Sequence, residues 1–175
     1  MALLAGPYLV TAALLAAGGA AKVVKPAPTA TAMTEMGLPV PAVAVRAGAA
    51  VELAIASGAL AGAGRPVALL VALSYLGFTG FVAAALRRGV PLSSCGCFGV
   101  ADTPPTAVHL LVNVAAAAVA MAVALGAGGG GGLTEITAMD GSLLLRGTFV
   151  VLTAASVWFA YAALTLLPKL QGAPR

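Results

Sequence analysis

Long apolar runs, separated by short polar segments, are the main feature of this chain. A helix needs about 20 mostly apolar residues to cross the hydrocarbon core of a bilayer, and five runs reach that length. The first run has no basic segment before it and no small-residue cleavage site after it, so we expect a spanning helix rather than a removed signal peptide. The five runs are residues 2–21, 41–61, 66–86, 107–125 and 143–167.

The five runs predict an all-α integral membrane protein with one compact helical bundle. The first four runs lie within residues 1–126, the predicted bundle segment. Residues 127–142 are predicted to be a linker, because five consecutive glycines lose too much backbone entropy to favour a helix. Residues 143–175 then supply a fifth, C-terminal transmembrane helix and a short tail. After Lys22 and Lys25, a segment rich in Pro and Thr, residues 26–41, is predicted to be a connector.

Composition supports a membrane protein over a soluble one. Of the residues, 61% are hydrophobic and 8% are charged, whereas soluble domains have about 25% charged residues. The net charge of +4 raises the question of nucleic acid, but such binding needs clustered Lys and Arg. Here the nine basic residues are scattered at the ends of apolar runs. We therefore predict a multi-pass protein of the cell membrane, in contact with the lipid bilayer and not with nucleic acid.

The basic residues also predict an orientation. If the N-terminus is outside and all five runs span, one side collects most of the loop Lys and Arg, and the positive-inside rule assigns that side to the cytoplasm. The segment between the third and fourth spans then faces the cytoplasm, whereas four spans instead of five reverse the assignment. The inner side collects Lys22, Lys25, Arg46, Arg87, Arg88, Lys169 and Arg175, and the outer side collects Arg65 and Arg146.

The two cysteines of the chain lie one residue apart, between the third and fourth runs. A disulfide between Cys95 and Cys97 closes a very small ring, near the limit of the Cα separation that a relaxed disulfide tolerates. Strained or exposed disulfides are easily reduced and tend to be the catalytic or regulatory ones. Gly96 and Gly99 allow backbone conformations that a side chain would forbid. The pair is therefore predicted to carry out thiol–disulfide exchange.

Positive charge near the cysteines favours the same chemistry. Arg87, Arg88 and the N-terminus of the fourth spanning helix favour the thiolate, which is the form that attacks a disulfide. Two alternatives stay open: the cysteines are small packed side chains without chemistry, or they bind a cuprous ion, which accepts soft thiolate ligands. His109 and Asp102 lack the spacing of a zinc site, so no metal ligands are assigned.

Three polar residues inside the apolar runs are further candidates. Glu52 lies in the second run, where a carboxylate is costly enough to suggest proton or substrate handling. The alternative is a structural role, in which a protonated Glu52 hydrogen-bonds to a neighbouring helix. Arg46 is six residues earlier on another face, so a local ion pair is not expected. His109 and Asn113 share a face that is predicted to point into the bundle. Proton transfer or contact with a quinone-like molecule competes there with a simple hydrogen-bonded interface.

The motif Cys-Gly-Cys-Phe-Gly at 95–99, followed by a helix that opens with His109 and Asn113, resembles the MauE family of membrane proteins, which is related to the DoxX-like group. The resemblance covers roughly residues 5–125. Its further matches are Lys22 after the first span, Leu38 and Pro39 before the second, Glu52 inside it, and Phe78 and Phe81 late in the third.

The resemblance implies a four-helix membrane bundle that acts in redox maturation. MauE is associated with the production of methylamine dehydrogenase, whose subunit is rich in disulfides and carries a quinone made from tryptophan. Cys95 and Cys97 are then the redox pair, with Phe98 in the same motif, and a thioredoxin-like protein and a client protein are the partners. The fifth run extends beyond the family core, and the charge count places the motif inside, whereas disulfide maturation requires it outside.

These inferences lead to one principal hypothesis and two alternatives. The principal one is a membrane thiol–disulfide oxidoreductase that passes electrons between a thioredoxin-like partner and either a client protein or a quinone. No cofactor is assigned, and a quinone is the candidate electron acceptor. The alternatives are a non-enzymatic membrane scaffold or accessory subunit, in which the Cys-Gly-Cys turn is structural, and cuprous ion handling.

Overall fold

The computed structural model describes residues 4–89, 104–127, 132–134, 136 and 142–166. In this part of the chain there are six helices and no strand. Five of the helices are long and apolar enough to cross a membrane, so the predicted all-α, multi-pass membrane fold is confirmed. The six are α1 (Ala5–Val24), α2 (Ala27–Glu35), α3 (Ala42–Leu60), α4 (Arg65–Arg88), α5 (Ala107–Ala124) and α6 (Leu143–Thr165).

Four of the spanning helices form a closed bundle, as predicted. α1 packs along α3, α4 packs along α5, and smaller contacts of α1 with α5 and of α3 with α4 complete the ring. The core consists largely of alanine, around a few larger side chains such as Tyr8, Leu15 and Val71. Small side chains let helices approach closely, which matters because lipid provides no hydrophobic driving force between helices.

Gly19 marks a close approach between α1 and α3. A Cβ atom at this position would lie 3.1 Å from the backbone oxygen of Ala49 and 3.1 Å from the backbone nitrogen of Leu53. Backbone atoms cannot move aside as the end of a flexible side chain can. A larger residue at position 19 would therefore push the two helices apart.

The turn between α3 and α4 lies at the same level as the end of α5. Gly126, just after α5, is beside the guanidinium group of Arg65, since a Cβ there would be 2.7 Å from Nη2. From this level α4 runs for 24 residues, whereas its antiparallel neighbour α5 has 18. At 1.5 Å per residue, α5 begins about 9 Å short of the other end of α4. That other end of the bundle is therefore stepped.

α2 lies at the stepped end and corrects the expectation of a simple connector over residues 26–41. Nine of those residues are helical. Met36, just after α2, packs against Ala85 of α4, and Nη1 of Arg88 donates to its carbonyl oxygen at 3.4 Å. Proline is well tolerated in the first turn of a helix, so the proline content of this segment was compatible with a helix start. We call this end of the bundle the α2 end.

α6 packs on the outside of the bundle, mainly along α1. Near its start, Phe149 faces Gly6, where a Cβ would lie 3.5 Å from the ring. Only Leu164 and Thr165 of its 23 residues are buried, and Trp158 is 64% exposed. The predicted fifth spanning helix is present, and most of its surface faces outward.

Candidate functional site

Lys22 and Glu52 form an ion pair inside the bundle. Lys22 lies near the end of α1 and Glu52 near the middle of α3, and the packing of these two helices brings Nζ into contact with Oε2. The Lys22 side chain is only 6% exposed and that of Glu52 20%. A lone charge at such a depth is costly, and each group here compensates the other.

This pair corrects the sequence-based interpretation of Lys22. From the sequence, Lys22 is the polar boundary of the first span and a loop charge, but α1 continues to Val24 and buries it. Its charge is paired, so it adds nothing to the positive-inside count. Glu52 contacts a cation rather than only a hydrogen-bonding neighbour. As expected, Arg46 is not its partner, since its Nε donates to the carbonyl oxygen of Val23 at 3.0 Å.

Two aromatic residues of α4 complete the surroundings of Lys22. Its Nζ lies 4.6 Å from the centroid of the Phe78 ring, within the range of a cation–π interaction. Tyr75 meets Phe78 edge to face, with ring centroids 5.7 Å apart. The Tyr75 hydroxyl donates to the backbone oxygen of Thr11 at 2.8 Å. These contacts tie α4 to α1 across the bundle and hold the ring that faces the ammonium group.

His109 connects the start of α5 to this buried group. The backbone N–H of Thr106 donates to His109 Nδ1 at 3.3 Å, and the Thr106 hydroxyl lies 3.0 Å from the same atom. Because Nδ1 accepts, the neutral imidazole carries its hydrogen on Nε2. The ring is 1% exposed, and among the described residues Nε2 has no hydrogen-bond partner. One edge of the ring therefore caps the helix while the other points into the core.

These polar groups surround one small cavity of about 30 Å³, which we call the polar cavity. Asn113, one turn after His109, is buried, and its Nδ2 has no hydrogen-bond partner in the described part of the chain. The cavity is large enough for a water molecule, and two donors and a carboxylate give such a water enough partners. The arrangement can therefore hold a water in a hydrogen-bonded chain between the carboxylate of Glu52 and the imidazole of His109. Its polar lining comes from Lys22, Glu52, Tyr75, His109 and Asn113.

The structure brings together three of the residues singled out from the sequence. Glu52, His109 and Asn113 all line the polar cavity, although the sequence separates Glu52 from the other two by more than fifty positions. Arg87 and Arg88 are exposed in the last turn of α4, at the α2 end. The motif residues lie outside the described residues, so their roles stay predictions; they are Cys95, Gly96, Cys97, Phe98 and Gly99.

Sequence reasoning missed Lys22, Tyr75 and Phe78 as parts of one site. A usable signal existed for Lys22, because a single base near the end of one span and a single acid inside the next can meet when the two helices are antiparallel neighbours. That signal competes with the frequent use of lysine at membrane boundaries. No comparable signal distinguishes Tyr75 and Phe78 from ordinary packing aromatics.

The described ranges contain no group of three His, Cys, Asp or Glu side chains that could hold a metal ion. In the polar cavity the carboxylate of Glu52 is already neutralised by Lys22. The cuprous alternative therefore depends on the thiols of Cys95 and Cys97, outside these ranges.

Comparison with known protein families gives a match over most of the chain. A family model described as methylamine utilisation protein MauE matches residues 1–128. This range contains α1 to α5, every polar residue of the polar cavity and the segment with both cysteines, and it ends before α6. No curated protein and no solved structure matches the chain significantly. The resemblance identified from the sequence is thus confirmed over most of the chain.

Proposed function

Because the chain belongs to the MauE family of methylamine utilisation proteins and is a multi-pass membrane protein, we propose that it is a thiol–disulfide redox protein. In this proposal Cys95 and Cys97 are the reactive pair. The protein assists the oxidative maturation of a client, which the family points to as methylamine dehydrogenase. A thioredoxin-like protein exchanges disulfides between the pair and the client.

The position of the cysteine segment carries this proposal. The segment connects α4 to α5, so the helix ends on both sides of it lie at the α2 end. Directly after it, the Thr106–His109 cap begins α5, and the same imidazole reaches the polar cavity. The cysteine pair is thus followed, twelve residues after Cys97, by a buried imidazole that lines the polar cavity.

The proposed reaction is a double exchange. A thiolate of the incoming dithiol attacks one sulfur of the Cys95–Cys97 disulfide, which gives a mixed disulfide and releases the other cysteine as a thiolate. The second incoming thiolate then attacks the mixed disulfide. A disulfide forms in the partner, Cys95 and Cys97 are left reduced, and two electrons and two protons have moved from the partner to this chain.

Two rules disagree about the side of the membrane on which Cys95 and Cys97 lie. After Lys22 is removed from the count, the α2 end still carries most of the basic residues near helix ends, and the positive-inside rule assigns it to the cytoplasm. Disulfides persist in oxidising compartments outside the cytoplasm, where maturation of a secreted client takes place. The α2 end carries Lys25, Arg46, Arg87 and Arg88, against Arg65 and Arg146 at the opposite end.

The chain has only two cysteines, so its thiol chemistry can be assayed without a cysteine-free background. We expect one of the single variants, Cys95→Ser or Cys97→Ser, to accumulate a mixed disulfide with a thioredoxin-like protein. The exchange is reversible, so the remaining thiolate attacks the disulfide of the oxidised partner, and the second cysteine that would complete this reverse exchange is absent. The measurement is a non-reducing gel of membranes quenched in acid, followed by mass spectrometry of the shifted band.

Ser94→Ala is the matched control, since it changes the neighbouring residue and keeps both thiols; it should accumulate no mixed disulfide. The double variant Cys95→Ser/Cys97→Ser should also lack the band. Labelling of intact cells with a membrane-impermeant maleimide, with and without prior reduction, reports the side and the redox state together. A shifted band that survives in the double variant, or a pair that is never oxidised in cells, would overturn the proposal.

A membrane scaffold is the second candidate, and the exposure of α6 favours it. Much of the surface of this helix faces away from the bundle, which leaves it free to pack against another membrane protein. A scaffold requires no oxidation of Cys95 or Cys97. Cells carrying the double serine variant should then mature the client normally, whereas the redox function predicts client lacking its disulfides.

A further inference from the structure

A second, larger cavity lies on the side of the bundle between α3 and α4, with α2 also contributing to its lining, and we call it the side groove. Its volume is about 360 Å³, within the range of sites for small molecules. The residues at its rim are exposed: Ala44 and Gly48 on α3, Leu73 and Gly77 on α4. Because both helices are long and apolar enough to span the membrane, the side groove opens towards lipid.

The side groove is apolar along most of its length and polar at its inner end. Lys22, Glu52 and Phe78 line both the side groove and the polar cavity, so the ion pair separates the two spaces. The ammonium group provides hydrogen-bond donors and the carboxylate provides acceptors. A ligand that enters from the lipid therefore meets an aromatic ring, a donor and an acceptor at the bottom of an apolar channel.

Two glycines keep the side groove open. A Cβ at Gly48 or at Gly77 would meet no atom within 4 Å, so neither glycine is needed for close helix packing. Each costs the helix stability relative to alanine. Their effect is to leave free space on facing sides of the same channel.

We propose that the side groove binds the ring of a membrane quinone, with one carbonyl oxygen accepting a hydrogen bond from Lys22 Nζ. The ion pair has no net charge, which disfavours the anionic phosphate of a lipid headgroup and favours a neutral polar head. A quinone presents acceptors, and its reduced form presents hydroxyl donors, so Lys22 and Glu52 complement the two forms in turn. The isoprenoid tail lies along the apolar channel and leaves between α3 and α4.

Binding of the quinone stands on the side groove alone, whereas its use as an oxidant rests on the function proposed above. In that use, two thiols lose two electrons and two protons and form a disulfide. The quinone gains the same two electrons and two protons and becomes a quinol. The groove therefore gives the proposed oxidation a place for its electron acceptor.

The test uses the full chain in phosphatidylcholine nanodiscs and a photoreactive azido-benzoquinone with a short alkyl tail. Labelling should map to α3 and α4 and be displaced by decylubiquinone. Gly77→Leu fills the groove and should weaken binding at least about tenfold, a loss of about 1.4 kcal/mol. Gly80→Leu is the matched control, because a Cβ at Gly80 also meets nothing within 4 Å and Gly80 does not line the groove; it should bind as the parent does.

Gly48→Leu, on the opposite wall, repeats the test on a second helix, and thermal unfolding of each variant shows that it folds. Lys22→Met should weaken binding while Lys25→Met, at an exposed position three residues later, should not. Equal labelling of the Gly77→Leu and Gly80→Leu variants, or displacement of the probe by added phosphatidylglycerol, would overturn the proposal. The Cys95→Ser/Cys97→Ser variant should bind the probe normally. If the parent binds the probe but neither single cysteine variant accumulates a mixed disulfide, the thiol function is refuted and the quinone site stands. If a mixed disulfide accumulates but the parent does not bind the probe, the quinone site is refuted and the thiol function stands.

Discussion

α1 of the four-helix bundle and the outer helix α6 are similarly apolar, but they bury very different fractions of their residues. The most apolar windows of α1 and α6 have mean hydropathies of 1.5 and 1.7. α1 nevertheless buries nine of its 20 residues, whereas α6 buries two of 23. Apolarity thus identifies a helix that can span a membrane, but it does not say whether that helix packs.

The difference lies in small and polar residues. α1 meets α3 through Gly19 and contributes Lys22 to the ion pair. Gly147 of α6, by contrast, has nothing within 4 Å of a Cβ position. In lipid, close packing and polar contacts supply the energy that the hydrophobic effect supplies in water. The bundle has both along α1, and α6 has little of either.

Among these variants, the largest loss in the free energy of unfolding should come from breaking the ion pair between Lys22 and Glu52. Lys22→Met leaves a buried carboxylate without its cation, and we expect a loss of about 3 kcal/mol or more in the free energy of unfolding. Replacing both partners, in Lys22→Met/Glu52→Leu, should recover most of the loss, since two apolar residues leave no uncompensated charge. SDS titration of the protein in mixed micelles, followed by circular dichroism, measures both. Lys25→Met is the control at an exposed position, and an equal loss there would contradict a buried pair.

The second largest loss of stability should come from replacing Gly19 in the bundle, for which Gly147 on α6 is the comparison. Gly19→Ala forces α1 away from the backbone of α3 and should cost about 1–3 kcal/mol, as overpacking does. Gly147→Ala on α6 meets open space and should change stability by less than about 0.5 kcal/mol, with a small gain because alanine is the better helix former. Thermal unfolding of the two variants in the same detergent gives the comparison. Similar midpoints for both would show that α1 and α3 are not in close contact.

The smallest loss of stability should come from removing the buried hydroxyl of Tyr75. Tyr75→Phe removes the hydrogen bond to the Thr11 backbone and should cost about 1 kcal/mol. Thr148→Val on α6 removes a hydroxyl that bonds only within its own helix and is exposed, and it should be close to neutral. The same SDS titration resolves a difference of this size when both variants are measured beside the parent. A neutral Tyr75→Phe would mean that the hydroxyl does not hold α4 to α1.

The spanning helices could be predicted from the sequence because length and apolarity are local properties. The partners of each helix could not. Glu52 was recognisable as unusual, yet its partner Lys22 is thirty positions away and resembles an ordinary boundary lysine. α2 was missed because its nine residues are only modestly apolar, and the sequence does not show that Ala32 is buried or that Met36, just after α2, packs against Ala85. His109 and Asn113 were predictable as one face, since four-residue spacing is set by the helix itself.

The unequal lengths of α4 and α5 give the cap at Thr106 a meaning that depends on membrane depth. With Arg87 and Arg88 at the interface, α5 begins about 9 Å closer to the midplane. Water that hydrates the first N–H groups of a helix at the surface is scarce at that depth. The reciprocal bonds of Thr106 and His109 replace part of that hydration. The imidazole thus takes the place of a water molecule at the start of α5. The protein can therefore begin a helix below the membrane surface, ten residues after Cys97.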